Sequence, residues 1–127
     1  MKNLRTEAIY RIKIAVVNEF RYYYGEHGTG GMLTMFSNDN SLKMDTYDLQ
    51  ESSLISIDPA FRRSLEENEL KRLFHDSLIE LYEENLIVLV NENIVVMTPK
   101  AEKIFFKNGV IYSEYASNAT KNNCGRS

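Results

Sequence analysis

Leu78-Ile79-Glu80-Leu81-Tyr82-Glu83-Glu84-Asn85-Leu86-Ile87-Val88-Leu89-Val90-Asn91-Glu92-Asn93-Ile94-Val95-Val96-Met97-Thr98-Pro99-Lys100-Ala101 is the stretch that sets the fold, because its period changes twice. Up to Asn85 the apolar residues Leu70, Leu73, Phe74, Leu78 and Leu81 keep helical spacing and predict a buried helix face. Beyond Asn85, Leu86–Val90 and Ile94–Met97 are β-branched runs separated by Asn91-Glu92-Asn93, a composition suited to a tight hairpin. Thr98-Pro99 then supplies an N-cap and a proline for the first helical position. The last helix therefore starts at Pro99 and carries Ala101, Ile104 and Phe105.

Outward from this stretch, Asp58-Pro59 predicts a short helix over Pro59 to about Arg63. Ser64-Leu65-Glu66-Glu67 fits a capping box and predicts that the long helix starts near residue 65 and ends near Asn85. Residues 25–53 are weakly specified. Gly25, Gly28, Gly30 and Gly31 surround His27, Ser37-Asn38-Asp39-Asn40-Ser41 reads as loop, and Met32–Phe36, Leu42–Met44 and Leu54–Ile57 are each compatible with a short strand. After Gly109 the periodicity fades, although Val110, Ile111, Tyr112 and Tyr115 can pack back.

The N-terminal segment predicts a helix from Leu4 to Tyr24, ended by Gly25 as C-cap. Its main stripe is Ile9, Ile12, Val16, Phe20 and Tyr23. A second stripe, Tyr10, Ile14, Val17 and Tyr24, lies about 100° round the wheel, and only Lys13 separates the two. Two readings stand for this second stripe. Either the glycine-bearing loop covers it and it is core, or it is open and meets a partner. Tyrosine in an open stripe suits an interface, and self-association through the first helices is then the simplest outcome.

Short helix, turn, long helix and hairpin follow one another in the order of a winged-helix domain. Leu78 to Ile87 resembles the end of that family's third helix running into the first wing strand, and Met97-Thr98-Pro99-Lys100-Ala101 is similar to the Leu-Thr-Pro-Lys-Gly that often closes its wing. The resemblance covers about residues 58–106. The expectation is an α+β winged helix with a long N-terminal helix, a short helix, a long third helix, a two-stranded wing and a C-terminal helix. One domain spans residues 1–116, and residues 117–127 read as a flexible tail whose last residues are compatible with vector-derived sequence. The glycine-bearing stretch before the short helix is longer than in compact bacterial members.

DNA-binding members of the family insert the third helix into the major groove, a task that needs Arg, Lys, Asn or Gln toward base edges and cations toward phosphates. Here residues 37–84 carry twelve acids against five bases, within a chain of formal net charge −3. The expected outer face of the long helix reads Glu69, Arg72, His75, Asp76, Ile79, Tyr82 and Glu83, and the wing tip carries Glu92. Such a helix is repelled by phosphate and releases few counterions. In this respect it resembles the protein-interaction and dimerisation winged helices of eukaryotic chromatin, transcription and replication assemblies. The implied function is a non-catalytic interaction module, homodimeric or bound to another protein. Its candidate interface is Tyr10, Ile14, Val17, Tyr24, Ile79 and Tyr82. The alternative is a DNA-binding transcription regulator using Arg11, Lys13, Arg72, Lys100 and Lys103 rather than a recognition helix docked in the usual way.

Composition narrows the rest. The chain has 127 residues, 43% of them apolar and 26% charged, as a single globular domain requires. Cys124 is the only cysteine, which excludes a disulfide scaffold. No apolar run approaches the roughly 18 residues of a membrane span, and the first residues lack a signal-peptide core. The expected location is intracellular, and nuclear in a eukaryote. Asn118-Ala119-Thr120 spells a sequon that no secretory signal supports. His27 is expected in a loop and His75 on an exposed helix face, with neither at metal-ligand spacing. Gly25 to Gly31 lacks the Gly-Lys-Ser/Thr of a phosphate loop. No enzyme, cofactor, metal, small-molecule substrate or membrane role is expected.

Overall fold

Asn85 and Thr98 fix the junction on which the architecture turns. In the computed structural model, which describes residues 4–27 and 43–117, Asn85 takes a left-handed backbone conformation at φ 64°. That residue ends the long helix in a Schellman motif. The Asn85 amide donates to the Tyr82 carbonyl at 3.0 Å and the Leu86 amide to the Leu81 carbonyl at 3.0 Å. Leu86 is thereby turned into the core, and its carbonyl accepts from the Thr98 amide at 3.1 Å. The Thr98 hydroxyl donates to the Asn85 carbonyl at 2.8 Å and caps the next helix by accepting from the Ala101 amide. One polar residue thus joins helix end, hairpin base and final helix.

In chain order the elements are α1 (Leu4–His27), β1 (Lys43–Asp45), α2 (Thr46–Ile55), α3 (Pro59–Arg63), α4 (Glu67–Glu83), β2 (Ile87–Asn91), β3 (Ile94–Met97) and α5, which opens as an α-helical turn at Pro99–Ala101 and continues as a π-helix over Glu102–Lys107. A further helical turn, α6, covers residues 112–117. The sheet is antiparallel in the order β1-β3-β2, with Met44 opposite Val95 and Leu89 opposite Val95 on its other side. The fold is mixed, mostly helical around a small three-stranded sheet. No helix among the described residues is long and apolar enough to cross a membrane.

The core joins one face of each element. Ile9, Ile12, Val16 and Phe20 from α1 meet Leu70, Leu73, Phe74, Leu78 and Leu81 from α4, and Ile87, Val95 and Met97 close the sheet side. Phe105 and Tyr112 seal the C-terminal end, with Tyr115 edge-on to Phe105 at a centroid distance of 5.7 Å. Gly109, at φ 72°, makes the turn between α5 and α6.

Several sequence expectations change. A helix, α2, occupies Thr46–Ile55, so Leu54–Ile57 is not a strand and the long acidic helix is the fourth in order. Asp45 starts α2 by accepting from the Asp48 amide at 3.0 Å, while Leu49 and Ser53 form its narrow buried side. The expected two-stranded wing has a third strand, β1, drawn from the Leu42–Met44 region. Ser64 does not cap α4; its hydroxyl donates to the Phe61 carbonyl, and α4 begins two residues later than expected from an uncapped Glu66. Gly25 does not end α1, which continues to His27, placing that histidine in the last helical turn. The Met32–Phe36 strand and the tail beyond residue 117 lie outside the described residues.

Candidate interaction surface

Asp76, Glu80 and Glu84 follow one another at four-residue intervals, so they stack along one side of α4 and meet cations of α1. Arg5 Nη2 lies 2.7 Å from Asp76 Oδ2. Lys13 Nζ lies 3.0 Å from Glu80 Oε1 and 2.6 Å from Glu84 Oε2. Burial by itself lowers the Lys13 pKa, but the Glu84 and Glu80 carboxylates outweigh it and hold the ammonium above its ordinary range. Tyr112 completes the group. Its hydroxyl donates to Glu84 Oε1 at 2.8 Å and its ring centroid lies 5.7 Å from Lys13 Nζ. Burial raises the phenol's pKa and the Glu84 charge adds to this, against the opposing effect of Lys13. A buried cation, two carboxylates and a phenol thus bind α1, α4 and the C-terminal segment together.

This seam corrects the expectations for α1. Val17 is 0% exposed, and Tyr10 and Ile14 are half-buried against the core. Among the described residues α1 packs against α2, α4 and the π-helical part of α5. A helix with neighbours on three sides buries two stripes, so Tyr10, Ile14 and Val17 are not an open interface. The side chain of Tyr24 lies outside the described residues. Lys13 is removed from the candidate nucleic-acid contacts by its two carboxylates. Arg11 is only half-exposed, bonded to Glu7 Oε2 at 3.0 Å and stacked 4.2 Å over the Phe61 ring.

Ile79 and Tyr82 remain outside. They are 37% and 52% exposed, one turn apart on α4, with Glu69, Arg72, His75 and Glu83 exposed on the same helix. Asp76 departs from the expected outer face, being half-buried against Arg5. With Asp76, Glu80 and Glu84 matched by α1, the exposed charges left on α4 are Glu67, Glu69 and Glu83 against Lys71 and Arg72. The exposed charges of α4 therefore leave a surplus of one acid. Lys100 and Lys103 are exposed on α5, and Lys100 Nζ donates to the Glu84 carbonyl at the end of α4 at 3.2 Å.

This surface presents an aliphatic group and an amphipathic ring within a charged rim. No group of three or more His, Cys, Asp or Glu among the described residues is arranged to hold a metal ion. The side chain of His27 and the whole of Cys124 lie outside those residues. The Lys13 network was missed in the sequence. Its signal was a lone lysine between two apolar stripes together with an acid ladder at four-residue spacing. Comparisons with protein-family models, with curated proteins and with solved structures find no match for this chain.

Proposed function

We propose that this chain is a winged-helix protein-interaction module whose docking face is the outer side of α4, working within a chromatin, transcription or replication assembly. The winged-helix reading is supported by element order, with helix, strand, two helices separated by a turn, long helix and hairpin, and by the sheet order β1-β3-β2. The observation that carries the function is the pair Ile79 and Tyr82, exposed on the helix that DNA-binding members insert into the groove, amid an acidic surplus. Phosphate repels such a face, while a protein partner buries the ring and keeps its hydroxyl wet.

Sedimentation velocity with a labelled random duplex at physiological salt tests the proposal. A chain that sediments independently of the duplex supports it. Co-sedimentation that weakens steeply with salt, and is lost when Arg72, Lys100 and Lys103 are neutralised together, favours the DNA-binding regulator instead. That second reading draws on the exposure of those three cations.

A further inference from the structure

Along α4, Asn68, Arg72, His75, Ile79 and Tyr82 are all exposed and follow one another at steps of four, three, four and three. That is the spacing of a coiled-coil seam, whose members lie along one line of the helix. Beside this line run Glu69, Asp76 and Glu83 at seven-residue intervals, a row that drifts by only about 20° per repeat. Arg5, 2.7 Å from Asp76, places the row on the α1 side and neutralises its middle member. Glu69 and Glu83 meet no cation among the described residues, so the row presents two open carboxylates. The other flank holds Lys71 and Leu78, the first exposed and the second buried. The exposed charges of α4 nearly balance in sum, yet they are sorted around the helix.

We infer that the outer face of α4 takes an amphipathic helix of another protein, one that carries basic side chains along the edge meeting Glu69 and Glu83. The inference rests on the reading of α4 as a docking face and names the partner that face fits. In helix pairs of this geometry the seam supplies apolar contact and the flanking charges set partner and orientation. Ile79 and Tyr82 occupy the C-terminal half of the seam, so the partner's apolar anchors lie there, and the polar half at Asn68, Arg72 and His75 fixes the register. Charge selects this occupant over two others. A second copy paired antiparallel along the seam brings the acid row of one chain against that of the other, and parallel pairing sets Arg72 against Arg72. Nucleic acid meets the open carboxylates with its phosphates and is repelled. A helix with a basic edge meets neither obstacle.

The test uses two stapled helical peptides of about three heptads, titrated against the whole chain by fluorescence anisotropy. Both carry leucine at two consecutive seam positions and alanine at the others, and they differ only in having lysine or glutamate along one flank. The lysine peptide should bind about tenfold more tightly at physiological salt, with the preference shrinking at about 1 M salt. Glu69→Lys with Glu83→Lys should reverse the preference. Glu51→Lys with Glu92→Lys makes the same change of net charge on α2 and at the hairpin tip, and should leave the preference in place. Equal binding of the two peptides, a preference that the Glu51 and Glu92 pair alters as much as the Glu69 and Glu83 pair, or no binding of either up to about 1 mM overturns the inference. Ile79→Ser with Tyr82→Ser separates it from the reading beneath it. Equal binding that is lost in this double variant leaves α4 as a docking face without the basic-edged partner, whereas binding that survives the double variant removes the docking face itself.

Discussion

Both α1 and α4 carry more apolar surface than one packing face requires, and the two surpluses end in opposite places. On α1 the extra stripe of Tyr10, Ile14 and Val17 turns inward, with Val17 entirely buried. On α4 the extra pair Ile79 and Tyr82 turns outward. What differs is the polar residue that separates surplus from main stripe. On α1 it is Lys13, a single cation that two carboxylates of α4 neutralise on site. On α4 the surplus is set among Glu69, Arg72, His75 and Glu83, which keep water beside it. An apolar surplus bounded by one pairable charge can be folded in, since the charge keeps its hydrogen bonds when buried. One bounded by several unpaired charges stays at the surface.

The comparison breaks most visibly at Val17. Val17→Lys puts an unpaired ammonium where exposure is 0%, at a cost of several kcal/mol against a total stability of about 5–15 kcal/mol for a domain of this size. The expected outcome is loss of the cooperative urea transition and of the native circular dichroism spectrum. A folded variant that merely changes its oligomeric state would return the stripe to the surface.

Leu78 and Ile79 sharpen the same contrast within two consecutive residues. Leu78 is 2% exposed between α4 and the core, so Leu78→Ala should lower the urea-derived stability by about 2–5 kcal/mol. Ile79→Ala, one residue on, should lower it by about 0.5 kcal/mol or less. Equal losses would mean that α4 is rotated from the orientation described.

These contrasts also show where the sequence is readable. The α4 face, the hairpin and the Thr98 cap were legible because each is set by local chemistry: helical spacing, β-branched runs, and a hydroxyl three residues ahead of an amide. Helix α2 was not. Its buried side consists of Leu49 and Ser53 alone, too thin a pattern to outweigh the β-branched look of Leu54–Ile57, although Asp45 three residues before Asp48 was a usable cap signal. The fate of the second α1 stripe was beyond any helical wheel. It depends on how many elements come to lie against α1, and those elements include α4 and Tyr112, which are remote in sequence.

Lys13→Met tests whether the pairing is what allows α1 to be buried on that side. Methionine keeps the length and apolar stem, but Glu80 and Glu84 lose their cation. Both carboxylates retain some exposure, so the cost should be about 1–3 kcal/mol, below that of a fully buried unpaired charge. The pH dependence gives a second reading. Lys13 is held above its ordinary value of 10.5, so the folded state binds its proton more tightly than the unfolded one. That stabilisation is complete below pH 10.5 and is lost as pH rises through the folded-state value. Tyr112, also raised from its ordinary 10.0, acts in the same direction. Stability of the parent should therefore fall in alkaline solution above about pH 10, and Lys13→Met should be less stable at neutral pH with a shallower alkaline decline. A variant as stable as the parent with the same alkaline slope would show that the seam is held by packing alone.

The smallest expected effect falls on the outer pair. Ile79→Ser with Tyr82→Ser removes an aliphatic group and a ring that already face water, so the urea-derived stability should stay within about 0.5 kcal/mol of the parent with the slope unchanged. Association with a protein partner should be lost, since aromatic anchors at an interface centre carry a disproportionate share of binding energy. The two readouts must separate for the contrast between α1 and α4 to hold. A double variant that loses stability as Leu78→Ala does would mean that the α4 surplus is covered within the chain, as the α1 surplus is.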